Sequence, residues 1–270
     1  MKVSLNHLRK HKDERTKFSV LTCYDSTFMQ LINQAEIDVV LVGDSLGMVV
    51  KGYDSTVPVT MRDMVYHTEA VASAKGGSHQ AFIMADLPFM AYHSKSQTLD
   101  NAADLMRAGA NMVKLEGGAW QADTVSRLAD CGIPVCAHLG LTPQSVDKLG
   151  GYKVQGKTDT QKEKLFQDAT ELEQAGADII LLECVPVSTA SALVEELSVP
   201  TIGIGAGPAT DGQVLVLHDM LGLSPHPARF VKNFLTAENS TSDNLLLDAV
   251  RAYDRAVKDG SYPAPEHCYN

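Results

Sequence analysis

Long apolar runs, paired cysteine motifs and interdomain linkers are all missing from this chain of 270 residues. The longest apolar stretches have strand length, far short of the roughly 20 residues that a membrane-spanning helix needs, so we expect a soluble protein. The five cysteines form neither a CxxC pair nor an even-numbered framework, which is typical of reduced thiols in the cytoplasm. No Pro/Gly/Ser-rich tract interrupts residues 18–235, so we expect one domain over residues 1–270.

Positive charge is also scarce. The chain has 23 Lys and Arg against 33 Asp and Glu, for a net charge of −10 and a pI near 5.3. Proteins that bind nucleic acid present a basic face, so this balance argues against a nucleic-acid partner. The exception is the basic segment of about residues 1–17, which lacks the apolar core and cleavage site of a targeting sequence. We expect it to form a helix that caps the domain or contacts a neighbouring subunit.

Alternating strand and helix patterns run through the chain and favour a closed (β/α)8 TIM barrel, with an open doubly wound sheet as the alternative. The predicted strands are 18–23, 39–42, 81–85, 112–115, 135–139, 179–182, 201–204 and 213–217. The predicted helices are 26–36, 61–76, 96–108, 120–131, 161–175 and 188–197. Residues from about 237 to 270 are expected to form a helical extension.

Five acidic residues each follow one of these apolar, strand-like segments. They are Asp25, Asp44, Asp86, Glu116 and Glu183. In a parallel α/β fold, strand ends meet at one face, where catalytic groups cluster. Any single one could instead be an N-cap of the following helix. Five together indicate metal and proton chemistry.

Three of these acids would project from neighbouring strands of a barrel: Asp44, Asp86 and Glu116. Carboxylate oxygens without nearby cysteine suit Mg²⁺ better than Zn²⁺. Magnesium keeps exchangeable coordination positions, so it could bind the carbonyl and carboxylate oxygens of a 2-oxo acid. Helix caps and ion-pair partners are the competing interpretation of these carboxylates.

Lys114 lies two residues before Glu116, so both side chains should point to the same face of the strand, into the barrel. An inward-pointing ammonium needs an anion beside it. We expect that anion to be a site carboxylate or a substrate oxygen. A structural ion pair and Schiff-base chemistry are the other interpretations.

Glu183 ends the predicted sixth strand, across the ring from the metal strands. It stands between apolar Leu182 and Val185, so we expect a partly desolvated carboxylate that acts as the base beside a carbonyl group. His138 ends the fifth strand and is assigned to substrate binding or to orienting a carboxylate, with a packing role as the alternative.

Six blocks of the sequence resemble the ketopantoate hydroxymethyltransferase family. They are VGDSLGM (42–48), ADLPF (85–89), VKLEGG (113–118), HLGLTPQ (138–144), LECVP (182–186) and GIGAG (203–207). The resemblance implies a (β/α)8 barrel of the phosphoenolpyruvate/pyruvate superfamily type, assembled as a D5 homodecamer. It also implies transfer of a one-carbon unit from 5,10-methylenetetrahydrofolate to 3-methyl-2-oxobutanoate, with Mg²⁺ as cofactor, in pantothenate biosynthesis.

The resemblance also implies residue roles. Asp44 and Asp86 would bind Mg²⁺ directly, with Glu116 in the same site directly or through water. The keto acid would contact Asp44, Ser45, Asp86 and Lys114, and Glu183 would accept the proton. A carbon–carbon lyase or phosphonomutase of the same superfamily and a non-catalytic barrel are the alternatives.

Two further segments are rich in glycine. GIGAG (203–207) departs from the dinucleotide-binding spacing, so we expect either close backbone approach to a ligand or tight packing. Residues 150–157 carry three glycines and two lysines after the fifth strand. We expect a mobile lid that brings positive charge to the site, or else a fixed loop at a subunit contact.

Overall fold

Eight parallel strands close into a barrel in chain order, with the last strand paired to the first. This is a computed structural model, and it describes residues 1–74, 78–240 and 242–270. The strands are β1 Phe18–Thr22, β2 Val39–Val42, β3 Phe82–Asp86, β4 Met112–Glu116, β5 Val135–Gly140, β6 Ile179–Glu183, β7 Thr201–Ile204 and β8 Gly212–Leu215. The predicted closed barrel is confirmed, and each predicted strand is present.

Helices alternate with most of these strands and surround the barrel. They are α1 Leu5–Glu14, α2 Ser26–Gln34, α3 Leu46–Val49, α4 Met61–Ala72, α5 Lys95–Arg107, α6 Ala122–Asp130, α7 Val146–Leu149, α8 Asp159–Gln174, α9 Val187–Glu196, α10 Leu217–Met220 and α11 Leu245–Lys258. All six predicted helices occur, with ends that differ by a few residues. The prediction 61–76 ends at Ala72, and its residues 75 and 76 lie outside the described residues.

The wall of the barrel departs from eight regular strand–helix units between β7 and β8. Residues 205–211, which join these strands, form turns and no helix. The helix α11, near the end of the chain, packs instead beside β1, where Tyr253 is fully buried. The Tyr253 hydroxyl lies 2.8 Å from the carbonyl oxygens of both Val20 and Gln213, at the seam where β1 meets β8. The expected C-terminal extension is therefore part of the barrel wall.

The helix α1 lies against the amino-terminal end of the barrel. Its Leu8 is fully buried with Phe18 and Val39 in the apolar cluster that fills the barrel interior. Lys12 donates a hydrogen bond to the Val194 carbonyl oxygen at 2.8 Å. This end of the barrel is thus closed by side chains, and access to the interior is from the carboxyl end.

The glycines of GIGAG serve packing. A Cβ atom on Gly203 would come within 2.5 Å of the Thr210 hydroxyl, and one on Gly207 within 2.8 Å of the Val187 side chain. Gly207 also has a φ of +80°, in the left-handed region that glycine adopts without strain. Of the two expectations for this segment, the contacts favour tight packing.

In the part of the chain that the structure describes, no helix is long and apolar enough to cross a membrane.

Candidate active site

All seven predicted site residues line one cavity of about 150 Å³ at the carboxyl end of the barrel. They are Asp44, Ser45, Asp86, Lys114, Glu116, His138 and Glu183. Three of the carboxylates are the last residues of β3, β4 and β6, and Asp44 follows β2 by two positions. The sequence argument from strand ends therefore located this cavity.

Asp25 is the member of the acidic set that does not join the site. Its carboxylate accepts hydrogen bonds from the backbone N–H groups of Thr27 at 2.8 Å and Phe28 at 2.9 Å, at the start of α2. It is exposed to solvent. The helix-cap interpretation is correct for this residue, because Asp25 is the N-cap of α2.

Lys114 points into the barrel, as predicted, and meets a carboxylate there. Its Nζ lies 2.7 Å from Asp86 Oδ1, and the two residues are only 4% and 2% exposed. Burial acts to lower the pKa of Lys114, but Asp86 and Glu116 outweigh it and hold the pKa above its ordinary value. The amine therefore stays an ammonium, which disfavours the Schiff-base interpretation because that reaction needs a free amine.

His138 stands between two carboxylates. Its Nδ1 lies 3.4 Å from Glu116 Oε1, and its Nε2 lies 3.3 Å from Glu183 Oε2. Burial and the charge of Lys114 act to lower the pKa of His138, but the nearby Glu116 and Glu183 outweigh them and raise it to about 9. The two carboxylates favour the charged ring, whereas the Lys114 ammonium, 3.5 Å from Nδ1, favours a neutral ring that accepts a hydrogen bond there. Nε2 lies at ion-pair distance from Glu183 without the geometry of a hydrogen bond.

Asp44 carries the least compensated charge of the site. Burial, followed by the nearby Asp86 and Glu116, raises its pKa well above the ordinary value, and Lys114 only partly offsets this. Its backbone N–H donates to Asp86 Oδ2 at 3.0 Å, which holds the two residues side by side. The cavity as a whole has four carboxylates against one ammonium and one histidine ring.

This surplus of negative charge fits a divalent cation. The donors are carboxylate oxygens of Asp44, Asp86 and Glu116, the ligand type that Mg²⁺ prefers. Among the described residues, no three acidic, His or Cys side chains are already arranged as a metal site. Protein donors contact each of these carboxylates: Lys114 contacts Asp86 Oδ1, and Gln144 contacts Asp44 Oδ2 and Glu116 Oε2. The donor chemistry and the charge therefore fit the ion, which would share these carboxylates with their protein donors.

Three tyrosines and one glutamine reach the site without having been predicted. Tyr24 lies with its hydroxyl 2.9 Å from Ser45 Oγ, and Tyr152 lies at the cavity wall with its hydroxyl 3.7 Å from Met48 Sδ. Tyr92 and Gln144 form a hydrogen-bonded pair behind the carboxylates. Gln144 closes the HLGLTPQ block, so its motif was visible, but the direction of its side chain was not.

A second, larger cavity of about 780 Å³ adjoins the first and shares Glu116 with it. Phe89 and Trp120 give it aromatic walls, and Lys148 and Lys164 bring positive charge. The segment 150–157 brings Gln155 and Gly156 to the larger cavity and Tyr152 to the smaller one, whereas its lysines, Lys153 and Lys157, line neither. Whether it moves as a lid stays a prediction.

Comparisons of the sequence place the chain among known proteins. The sequence profile described as "Ketopantoate hydroxymethyltransferase" matches residues 2–265. The chain is 55% identical over 270 residues to a 3-methyl-2-oxobutanoate hydroxymethyltransferase of Marinobacter nauticus, covering 100% of this chain and 99% of the relative. It is 54% identical to 3-methyl-2-oxobutanoate hydroxymethyltransferase 2 of Hahella chejuensis, covering 100% of both.

Comparisons of the fold agree with the barrel. A phosphonopyruvate hydrolase in complex with oxalate and Mg²⁺ superposes with a TM-score of 0.61 at 13% identity, over 79% of this chain and 80% of that one. A 2,3-dimethylmalate lyase of the PEP mutase/isocitrate lyase superfamily superposes with a TM-score of 0.57 at 17% identity, over 98% and 100%. At such identities the likeness shows the fold, and it agrees with the predicted (β/α)8 barrel.

The full-length match decides between the alternatives that the motifs left open, since a lyase or a non-catalytic barrel would not share half its residues with hydroxymethyltransferases from end to end. The chain belongs to the ketopantoate hydroxymethyltransferase family, and it is an enzyme of the hydroxymethyltransferase class.

Proposed function

We propose that this enzyme transfers a one-carbon unit from 5,10-methylenetetrahydrofolate to 3-methyl-2-oxobutanoate, with Mg²⁺ as cofactor, to give 2-dehydropantoate in pantothenate biosynthesis. The observation that carries the proposal is the arrangement of the smaller cavity. The Lys114 ammonium and the Glu183 carboxylate, which lies 3.3 Å from His138 Nε2, both line a space of about 150 Å³. These are the groups that proton removal beside a carbonyl requires.

The walls of the smaller cavity suit a short branched 2-oxo acid. Leu181, Ile204 and Val214 form an apolar side on which an isopropyl group can pack. The Ser45 hydroxyl and the Lys114 ammonium lie at the polar side and can bind carboxylate and carbonyl oxygens. This division into an apolar and a charged side orients the substrate with its tertiary carbon toward β6.

Asp44 and Asp86 would hold Mg²⁺, with Glu116 directly or through water. Bound there, the ion would supply electron withdrawal from the 2-oxo group, which acidifies the hydrogen on the neighbouring carbon. The charge surplus of the cavity supports this assignment, because burial, followed by the charges of Asp86 and Glu116, raises the pKa of Asp44, and a divalent cation would stabilise its ionised form.

Glu183 would take the proton from C3 of the keto acid. Its side chain is 13% exposed and ends β6, four strands away from the β2 end that carries Asp44. His138 Nε2 lies 3.3 Å from Glu183 Oε2, so the substrate would approach Oε1. The Lys114 ammonium stabilises the negative charge that develops on the substrate oxygen.

The carbanion carbon then forms the new bond to the methylene carbon of the folate, and both carbon–nitrogen bonds of that methylene break, with their electrons returning to the two folate nitrogens. The hydroxyl group of a water completes the hydroxymethyl group, and the nitrogens take up the other proton of that water and the proton removed from C3. The transfer consumes one water and leaves tetrahydrofolate. We assign the folate to the larger cavity, which adjoins the reaction space at Glu116. Trp120 and Phe89 can stack on aromatic rings, and Lys148 and Lys164 can meet the carboxylates of the glutamate tail.

The proposal is tested by incubating the enzyme with 3-methyl-2-oxobutanoate, Mg²⁺ and 5,10-methylenetetrahydrofolate and measuring 2-dehydropantoate. Product that depends on all three additions supports it. A Trp120→Ala variant should raise the KM for the folate while leaving the affinity for the keto acid near that of the unchanged enzyme, since the two ligands would occupy different cavities. No product with either cosubstrate in excess would contradict the assignment.

We further propose that the enzyme assembles as a D5 homodecamer in the cytoplasm. All five cysteines are free thiols, four of them buried, as is usual in a reducing compartment. Light scattering after size exclusion tests the assembly, and a mass near that of one 29.1 kDa chain would contradict it.

A further inference from the structure

Gln144 is a buried residue that touches two of the proposed metal carboxylates at once. It lies in the 3-10 turn Pro143–Ser145 after β5 and is 4% exposed. Its side-chain Nε2 donates to Asp44 Oδ2 at 2.8 Å, and its backbone N–H donates to Glu116 Oε2 at 3.1 Å. One residue thus connects a carboxylate that follows β2 with a carboxylate that ends β4.

The orientation of the Gln144 amide is fixed by a second residue. The Tyr92 hydroxyl donates to Gln144 Oε1 at 2.5 Å, while Nε2 also donates to the Leu87 carbonyl oxygen at 3.0 Å. With the amide reversed, Oε1 would face two acceptors, Asp44 and the Leu87 carbonyl, and the contact would become repulsive. Burial, followed by the charge of Glu116, raises the pKa of Tyr92, so its hydroxyl keeps the proton that it donates.

These contacts act on carboxylates that repel one another. Asp44, Asp86 and Glu116 share one cavity, and the pKa of Asp44 is raised by the other two after burial itself. Asp86 has Lys114 as a direct cationic partner, whereas Asp44 has no cation within ion-pair distance among the described residues. The neutral amide of Gln144 is then the donor that directs Asp44.

We infer that Gln144 is a positioning residue that holds Asp44 and Glu116 in the arrangement that takes up the divalent cation, and that Tyr92 sets the direction of its amide. The inference rests on the metal site of the proposed function. Gln144 and Tyr92 line the larger cavity and not the smaller one in which the reaction is placed, so Gln144 would act through the carboxylates. Loss of a partner that orients a metal ligand typically weakens metal binding roughly 10-fold or more.

Replacement of the side chain separates this role from packing. Gln144→Met keeps the length and the backbone donor to Glu116 but removes the amide that holds Asp44. Tyr92→Phe keeps the ring and removes only the hydroxyl that orients the amide. Gln121→Leu is the matched control: Gln121 is also a buried glutamine, 1% exposed, but its Nε2 has no hydrogen-bond partner and it lines neither cavity.

The experiment measures Mn²⁺ affinity by electron paramagnetic resonance, with saturating 3-methyl-2-oxobutanoate and no folate, beside the thermal midpoint of each variant. We expect roughly 10-fold weaker binding in Gln144→Met, roughly 3-fold weaker binding in Tyr92→Phe and unchanged binding in Gln121→Leu. A role limited to packing would lower the thermal midpoint and leave the Mn²⁺ affinity alone.

The outcomes separate the inference from the function on which it rests. If the unchanged enzyme binds no Mn²⁺, the proposed metal site fails, and with it this role of Gln144. If the unchanged enzyme binds Mn²⁺ and Gln144→Met binds it equally well or more tightly, the positioning role alone is overturned. Should Gln144→Met not fold, Tyr92→Phe decides, and an affinity equal to that of the unchanged enzyme would overturn the inference.

Discussion

Acidic residues have different roles at the two ends of the barrel. At the amino-terminal end, three aspartates directly precede strands: Asp38, Asp178 and Asp211. Each accepts a backbone hydrogen bond and also pairs with a cation. Their partners are Ser19 N and Lys258 for Asp38, Val135 N and Arg9 for Asp178, and Thr201 N and Lys12 for Asp211. At this end the carboxylates join neighbouring elements and are compensated within the fold.

At the carboxyl end the carboxylates outnumber the cations that face the same cavity. Asp44, Asp86, Glu116 and Glu183 share Lys114 and His138. Uncompensated buried charge costs stability, so it persists where a ligand is to be bound. Charge balance, more than the presence of acidic residues, therefore separates the structural end of this barrel from the functional one.

The largest expected loss of activity comes from removing the carboxylates that would bind the metal ion. Asp44→Ala and Asp86→Ala should each abolish turnover, because each removes a ligand of the proposed ion, and both proteins should remain folded. Activity is measured across a range of Mg²⁺ concentrations, with circular dichroism as the control for folding. Turnover in either variant equal to that of the unchanged enzyme at limiting Mg²⁺ would sink the metal assignment.

Replacement of the proposed base, Glu183, should have an effect of similar size on a single step, the removal of the C3 proton. Glu183→Gln keeps the shape of the side chain but cannot accept a proton, so exchange of the C3 hydrogen with D₂O should stop while the keto acid still binds. Lys114→Met should weaken keto-acid binding as well as exchange, since an anion partner is lost. Isothermal titration beside proton NMR separates the two, and unimpaired exchange in Glu183→Gln would mean that another group takes the proton.

A smaller loss is expected at Glu116. If its contact with the ion runs through water, Glu116→Gln should raise the Mg²⁺ concentration needed for half-maximal activity without abolishing turnover. The measurement is activity against free Mg²⁺. A loss as complete as that of Asp44→Ala would instead indicate direct ligation.

The amino-terminal carboxylates should affect stability alone. Asp211→Asn removes the negative charge that pairs with Lys12 and weakens the acceptor for the Thr201 N–H and hydroxyl groups. We therefore expect a loss of about 2 kcal/mol in the free energy of unfolding. The kcat and KM values should stay those of the unchanged enzyme. Urea unfolding and steady-state kinetics measure the two effects, and a large fall in kcat without a fall in stability would contradict the comparison.

The smallest effect is expected at Asp25, the strand-end acid that caps α2. Asp25→Ala removes an acceptor from two backbone N–H groups at an exposed helix start and should cost about 1 kcal/mol. Activity should not change. If activity fell as far as in Asp44→Ala, the division between capping and site carboxylates would be wrong.

Sequence reasoning located the barrel and the members of the site because both follow from local patterns. Strand ends carry Asp86, Glu116 and Glu183 to one face whatever the packing elsewhere, and the spacing of Lys114 and Glu116 fixes that both point inward. The same patterns could not separate Asp25 from Asp44, because a cap and a ligand look alike until the direction of the chain after the strand is known.

Other features depended on contacts between residues far apart in the chain. Gln144 reaches Asp44 across a separation of 100 residues, and Tyr253 reaches Val20 across 233, so neither has a signal within its own segment. The lysines of residues 150–157 were expected at the site from composition alone. They line neither cavity although other residues of the segment do, because loop composition does not determine the direction of side chains.

The central claim, that unbalanced charge at the carboxyl end binds a cation for proton removal, is tested most directly by exchange of the single C3 hydrogen of 3-methyl-2-oxobutanoate with D₂O, followed by proton NMR without folate. We predict exchange in the unchanged enzyme and in Asp211→Asn when Mg²⁺ is present, and none after removal of Mg²⁺ by EDTA or in Asp44→Ala. Exchange that persists at the full rate in EDTA, or in Asp44→Ala, would contradict the account.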